Sequence, residues 1–485
     1  QLLKGVSVPV HLYEVTGESD SFDPFETALS TGYLSRFVGR DKELATLDRH
    51  WTSTLSGEGK VTLLTADAGM GKTRLMHEFK ARVENQTHQV TFRCSPNHVN
   101  SAYYPLAQLV RRVFDIDTND SDTRQLEDLT RQIELIDLES SGAAGHFADL
   151  LSLPYRGEGS ADIADSATRR EQLIKTITEW LLSQCRDQPL LMVWDDAHWM
   201  DPESFEILEQ FFGRLSSLPI YCLVAYRTDF KPSWHADPSV HLLHLEALPD
   251  DDVDSMIDGL DENQDLPENI HRFIRDKTDG IPLYVEELTK NVLDSHQSEE
   301  FVALGSSSLN ELSVPTTLQD SLEARIDRCG VGRNIAQWAA AVGREFSYSL
   351  MTHLIDDRTV LSEGIDELLD AQLIYHSGTR DQRSYLFKHA LIRDTAYESL
   401  LNKQRRAYHA KIADAIEKHF PEIVEREPEI VAHHLIEAGV HDRVVEHLLS
   451  AGERAIERSA PTVAERHFRS ALKTLTALPE SVQRA

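Results

Sequence analysis

The sequence predicts a multidomain protein, α/β in its first half and α-helical in its second. Three observations carry that expectation. Segments that run apolar, Val61–Thr65, Val90–Cys94, Leu190–Trp194 and Tyr221–Tyr226, alternate with helix-patterned stretches, the signature of a parallel β-sheet covered on both faces. A glycine-bearing turn, Ala66–Thr73, joins the first of those strands to a helix, giving the order strand, loop, helix, strand. From Arg405 onward, apolar residues recur at helical spacing near 405–419, 428–438, 441–458 and 461–477, with tight links between them. Successive helices of that length form repeat arrays.

Taken in order, Val6, Val8, Val10 and Leu12 alternate with other residues between Leu3 and Val15, which reads as one strand. A single strand is no domain, so residues 1–17 are expected to close a domain lying upstream. Residues 18–34, rich in Gly, Ser, Asp and Thr, read as a linker. The α/β domain spans 35–235. Leu44, Leu47, Trp51 and Leu55 mark its first helix, ending at Gly57, and residues 100–187 read mostly helical, broken near 139–145 and 154–163. Asp201-Pro202 opens a further helix, with Asp as the cap and Pro at the first turn. Residues 236–310 read as a helical lid with a Ser-rich link at 303–309, then 311–402 as a second mixed module. Residues 403–485 are the repeat helices, expected to continue past Ala485.

Composition narrows the function classes. The 485 residues are 41% hydrophobic and 27% charged, enough to bury several cores. Lys and Arg number 49 against 80 Asp and Glu, a formal charge of −31. So acidic a surface repels phosphate backbones and anionic lipid, so neither nucleic acid nor membrane is an expected partner. Cys94, Cys185, Cys222 and Cys329 lie far apart with no C-x-x-C pair, against a disulfide framework or a thiolate zinc site. With no membrane-length apolar run and no signal-peptide pattern, a cytoplasmic location is expected.

The chemistry is concentrated in two places. Ala66-Asp67-Ala68-Gly69-Met70-Gly71-Lys72-Thr73 matches G-x-x-x-x-G-K-[ST], with Ala at the first glycine. Gly71 lets backbone approach a phosphate, Lys72 neutralises β/γ oxygens, Thr73 offers a hydroxyl to Mg²⁺, and the new helix aims its first amides, Arg74 included, at the anion. That is the loop of a P-loop NTPase. Asp195-Asp196 then ends an apolar strand predicted in the same sheet, where a metal-binding carboxylate and a second acid to handle water belong. We expect Thr73 and Asp195 on the metal and Asp196 as the base. Arg227 closes the next strand, where its fork can read the γ-phosphate or simply stand in solvent. His433-His434 is no chelate: adjacent helix residues point about 100° apart.

Together these residues resemble the STAND class of signal-transduction ATPases, a branch of the AAA+-like P-loop proteins, over about residues 35–480. Phe37-Val38-Gly39-Arg40-Asp41-Lys42-Glu43-Leu44 resembles the entry motif, whose backbone (Val38, Gly39, Arg40) is implied to lie on adenine. Ala66–Thr73 and Leu190–Asp196 match the Walker A and B motifs, the second running on into Ala197-His198-Trp199-Met200-Asp201, a string typical of the branch fused to bacterial cyclases and regulators. Arg227 matches the sensor arginine, and Gly280-Ile281-Pro282 resembles the G-x-P motif, which implies that Pro282 packs on the base. Residues 312–400 resemble a winged-helix module, and Phe387-Lys388-His389-Ala390-Leu391 its histidine motif, which implies that His389 contacts the β-phosphate of ADP. Leu3–Val15 looks like the closing strand of class III adenylate/guanylate cyclase domains.

The resemblance implies a slow ATPase that binds ATP or ADP with Mg²⁺ and switches between two packings of its modules. It further implies control of an upstream cyclase domain in cis, input from a protein partner on the TPR-like repeats, and assembly into an oligomer. Two alternatives stay open: a transcription regulator whose DNA-binding output lies outside this chain, and a partner-binding scaffold with a structural ATP site.

Overall fold

In the computed structural model, residues 36–478 are described apart from 119, 137, 139–141, 156, 158–165, 186, 216–217, 238–239, 262–265, 297–316 and 378–382. The Leu3–Val15 strand, the 18–34 linker and the Ser-rich 303–309 link lie outside the described residues.

The first helix, α1 (Asp41–Leu55), buries Leu44, Leu47 and Trp51 from one face and turns off at Ser56-Gly57. Strand β1 (Lys60–Thr65) leads into the glycine loop and α2 (Lys72–Val83), followed by β2 (His88–Arg93). Four helices cross next: α3 (Tyr104–Val113), α4 (Asp122–Leu135), α5 (Ala143–Leu151) and α6 (Ser166–Ser183). They deliver the chain to β3 (Leu190–Asp195), α7 (Pro202–Phe212) and β4 (Ile220–Tyr226). Every residue of β4 is buried, as a central parallel strand requires.

With a fifth strand, β5 (Val240–His244), the sheet is parallel throughout, in the order β2-β3-β4-β1-β5. Two features go beyond the sequence reading. Strand β4 lies between β1 and β3, so the acid-bearing strand is one place removed from the loop-bearing one. The sheet also runs past residue 235, where the domain boundary had been expected: Val240–His244 forms β5, paired with β1. That segment is short, carries His241 and His244, and is partly exposed at every position, so it shows none of the apolar run of the inner strands.

Beyond the sheet, α8 (Asp250–Leu260), α9 (Glu268–Thr278) and α10 (Pro282–His296) close on a cluster that includes Val253, Ile257, Ile270, Ile274, Val285 and Leu288. The next module has α11 (Leu318–Arg328), α12 (Gly332–Val342), β6 (Glu345–Ser347), α13 (Tyr348–Leu354), α14 (Arg358–Asp370), β7 (Ile374–Ser377), β8 (Ser384–Phe387) and α15 (Ala390–Glu398). Its sheet is antiparallel, β6-β8-β7, with β7 and β8 in the place of a wing.

The repeat helices are α16 (Asn402–His419), α17 (Pro421–Arg426), α18 (Pro428–Ala438), α19 (His441–Glu457) and α20 (Pro461–Ala477). Their near end shares a core with the winged module through Ile412, Ile416, Val431 and Leu435. Their far end returns to the α/β domain: Ala455, Ala460, Val463 and Ala464 belong to the same cluster as Trp180 and Trp194. Glu203 of α7 accepts the backbone amides of Thr462 (2.9 Å) and Val463 (3.0 Å), capping α20 from another domain. Tyr103 donates to the Ser459 carbonyl at 3.3 Å, and His467 meets the Asn100 carbonyl at 2.9 Å. Among the described residues, no helix is long and apolar enough to cross a membrane, and the four cysteines are free.

Candidate nucleotide site

Between β1 and α2 the chain must reverse tightly, and Gly69 (φ 83°) and Gly71 (φ 87°) supply the left-handed turns. Ala66, standing at the first glycine position, is not among the positive-φ residues, so that departure carries no backbone strain. A Cβ on Gly71 would meet nothing within 4 Å, whereas one on Gly69 would press on Ile281 and Leu283 at 3.3 Å. The loop is therefore open at Gly71 and packed against the lid at Gly69. The Leu283 amide, one residue after Pro282, donates to the Gly69 carbonyl at 3.2 Å. Gly280 (φ 70°) makes this approach feasible, its carbonyl accepting from the Leu248 amide at 2.8 Å.

Lys72 begins α2 and folds back on the loop, its Nζ donating to the carbonyls of Ala66 (2.7 Å) and Asp67 (2.9 Å). Burial lowers its pKa, against the pull of Asp196 and Asp195. Thr73 Oγ1 sits 3.4 Å from both carboxylate oxygens of Asp195. Hydroxyl and carboxylate are the hard oxygen donors that Mg²⁺ takes. Among the described residues no group of three or more His, Cys, Asp or Glu side chains could hold a metal. A cation here would then be shared between one carboxylate, one hydroxyl and the nucleotide's phosphates, the usual way Mg²⁺ is held, so Thr73 and Asp195 fit the group.

Burial, reinforced by neighbouring Asp196, pushes the Asp195 carboxyl up to about 6. Asp196 follows the strand in a left-handed conformation (φ 54°), donates its amide to Asp195 Oδ1 at 3.0 Å, and offers Oδ2 to Arg344 at 3.1 Å. Asp201, the last acid of the motif, is structural: Oδ1 accepts the Ser204 amide (3.0 Å) as the cap of α7 and the Tyr103 amide (2.9 Å).

The other expected residues converge from four elements. Arg227 leaves β4 with its guanidinium 4.0 Å from Asp394 of α15, and the next residue, Thr228, donates to the Asp67 carboxylate. Phe37 packs on the sheet core and Val38 on the lid cluster, so the entry segment lies between the two. At Gly39 (φ 67°) a Cβ would meet Asp252 of α8 at 2.6 Å. Arg40 had been expected to act through its backbone; its side chain also holds the loop, donating to the Met70 carbonyl at 3.2 Å and to Glu43 at 3.1 Å. Arg74, on the first turn of α2, lies 5.9 Å from the Phe37 ring centroid. His389 stands at the N-terminal boundary of α15 without a side-chain cap, and its Nε2 is buried with no hydrogen-bond partner among the described residues. Burial and the adjacent Lys388 push that imidazole down to about 3, so it is neutral.

Sequence reading missed three contributors. Arg344 follows α12 and carries no motif. Glu286 and Lys388 form a buried pair between the lid and the winged module; the one available signal was a lysine set between two motif residues, Phe387 and His389.

Comparison with known proteins agrees with this geometry. A family model described as "AAA ATPase domain" matches residues 36–224. That segment is similar to AAA ATPase domains, and the chain has the P-loop AAA fold, a five-stranded parallel sheet followed by helical regions. A curated relative, an uncharacterized protein of Rhizobium meliloti (strain 1021), is 23% identical over 491 residues. The alignment covers 99% of this chain, which spans about half (46%) of the relative's length. Among solved structures, a STAND protein with a tetratricopeptide repeat sensor from Pyrococcus horikoshii overlaps 93% of this chain and 60% of its own, at 14% identity and a TM-score of 0.49. The Aeropyrum pernix ORC1 protein, solved in complex with DNA, overlaps 76% of this chain and 94% of its own, at 12% identity and a TM-score of 0.36. Both overlaps are loose, and no functional point rests on them.

Proposed function

We propose that this chain is a nucleotide-operated switch of the STAND kind, which binds ATP or ADP with Mg²⁺, hydrolyses ATP slowly, and changes the packing of its modules with the nucleotide's state. One observation supports this proposal: two modules meet beside the phosphate loop, Thr73, Asp195, Asp196 and Arg227 arriving from the α/β domain and Arg344 and Asp394 from the winged module. A site shared between modules is where the loss of one phosphate can change how they pack.

In this proposal Lys72 exchanges its loop carbonyls for β/γ-phosphate oxygens, and the amides at the start of α2 hold the same phosphates. Bound Mg²⁺, held by Thr73 and Asp195, supplies neutralisation of phosphate charge. Asp196 orients the attacking water and takes its proton. Arg227 reads the γ-phosphate, and the buried His389 Nε2 gains its missing partner from the β-phosphate of ADP. Val38, Gly39 and Pro282, between sheet and lid, enclose the base. The repeats α16–α20 receive a protein partner. The output is an upstream cyclase domain, for which the support is the resemblance of Leu3–Val15 alone.

The test is to denature the purified chain and identify released nucleotide by chromatography, for wild type, Lys72→Ala and His389→Ala. Near-stoichiometric ADP in the wild type, lost in both variants, is the expected result. ADP lost only in Lys72→Ala would return His389 to a structural role. A wild type that is empty and also fails to bind added Mg·ATP would overturn the switch.

A further inference from the structure

We propose that Arg344 is a positioning residue for Asp196: docked as it is here, the winged module holds that carboxylate in an ion pair and so restrains hydrolysis. The proposal rests on Asp196 being the base. Its geometric ground is the contact between Arg344 and Asp196 Oδ2 at 3.1 Å, across 148 residues of sequence and between two modules.

The arginine is aimed by its backbone. Asn97, just past β2, donates Nδ2 to the Val342 carbonyl at 3.0 Å, pinning the end of α12 to the α/β domain. At Gly343 (φ 159°) a Cβ would stand 2.4 Å from that same Nδ2, so a side chain there would displace the Asn97 amide from this contact. The Arg344 carbonyl accepts the Phe387 amide at 3.0 Å, which ties it to β8, the strand that runs into Lys388 and His389. The guanidinium therefore keeps its place only while the winged module is docked.

The pairing is also selective. Asp195 is already engaged by Thr73 and by the Asp196 amide. Asp196 is held in a left-handed turn that an aspartate tolerates at some strain, its Oδ2 turned toward the winged module. The guanidinium occupies the Asp196 oxygen that would otherwise accept water's proton, so while the pair is made that oxygen is not open to the water. A cavity of about 560 Å³ adjoins the pair, lined by Thr73, Asp195, Asp196, Arg93 and Arg344, and gives the arginine room to leave.

Steady-state turnover of Mg·ATP by the full chain tests this. Arg344→Ala is expected to raise kcat about five-fold or more with KM within two-fold, a split that general loosening of the fold would not give. Arg344→Lys keeps the charge and is expected to stay near wild type. In the double variant with Asp196→Asn, the gain should vanish. If Arg344→Ala does not fold, as judged by thermal denaturation, Arg344→Gln carries the same expectation. Unchanged or reduced kcat in the neutral variants, with nucleotide binding intact, overturns the proposal, as does absent turnover in wild type and variants alike. Failure of the wild type to bind nucleotide would instead overturn the switch.

Discussion

Lys388 donates to Glu286 at 2.8 Å across 102 residues, with both side chains almost fully buried. Lys290, one turn beyond Glu286 on α10, joins the same carboxylate at 2.7 Å. The lid and the winged module are thus joined by a shared charge. Burial alone would raise the Glu286 pKa, but the two lysines hold it well below the usual carboxylate range. Removing the shared carboxylate takes the partner from buried Lys388, and breaking such a pair costs about 3–5 kcal/mol. Glu286→Ala should therefore lower the unfolding free energy by about 3 kcal/mol, while Glu286→Leu combined with Lys388→Met should recover much of it. Denaturant titration of the single and double variants checks this. A depressed carboxyl contributes stability above its unfolded pKa, so Glu286 supports the fold at neutral pH and loses that role on acidification below about 4.

Two glycines with nearly the same backbone should respond in opposite ways. Gly71→Ala meets open space and bears only left-handed strain, about 1–2 kcal/mol, so the chain should fold and lose nucleotide binding at least ten-fold. Gly280→Ala would set its Cβ 2.3 Å from the Leu248 carbonyl oxygen, a backbone atom that cannot yield. Its effect should appear first as lost thermal stability of the lid. Nucleotide titration beside thermal unfolding separates the two, and equal effects in both assays would contradict the geometry.

A pH-dependent element lies away from the nucleotide. His409 and His434 share an Nδ1–Nδ1 hydrogen bond of 2.8 Å, with Tyr397 on the far nitrogen of His409 at 2.8 Å. One nitrogen must donate and the other accept, so the two rings cannot both be charged while the bond is made. Burial and neighbouring His433, with Arg393 and Arg405, lower the His409 pKa from 6.5 to about 3, and His434 falls well below its usual value. Below about pH 6.5 the unfolded chain binds protons that the folded one refuses, so stability falls with pH by about 1.4 kcal/mol per unit for each histidine. Midpoints measured between pH 6.5 and 4.5 should fall less steeply in His409→Gln/His434→Gln than in wild type.

Glu203 offers a test of how the repeats are held. Hydrogen bonds to a charged acceptor contribute about 1.5–3 kcal/mol each, and Glu203 makes two, to Thr462 and Val463. Glu203→Ala should speed hydrogen exchange at the start of α20 by ten-fold or more, with Glu203→Gln intermediate. Unchanged exchange there would mean that the apolar contacts of Ala460 and Val463 suffice.

The phosphate loop was legible because its chemistry is local: spacing alone put Gly71, Lys72 and Thr73 at a strand-to-helix turn. Inner strands were legible by their apolar runs and α7 by its Asp201 cap. Strand β5 was not, since an edge strand needs no such run and Leu242 is exposed. Nor was the insertion of β4 between β1 and β3, because strand order is set by long-range packing that local periodicity does not record. Arg344, Glu286 and Glu203 escaped for the same reason. Each looks like an ordinary surface charge until a distant partner is known.

The seam at Glu203 and α20, with the one at Asp196 and Arg344, makes the chain a closed circuit: domain, lid, winged module, repeats, and back to the domain. In a circuit each seam is an intramolecular encounter, its halves kept at millimolar effective concentration by the intervening modules. A seam that opens alone recloses against that local concentration. A partner that gripped only the repeats would have to out-compete both closures before the circuit parted, so its apparent affinity would fall by the fraction of molecules already open.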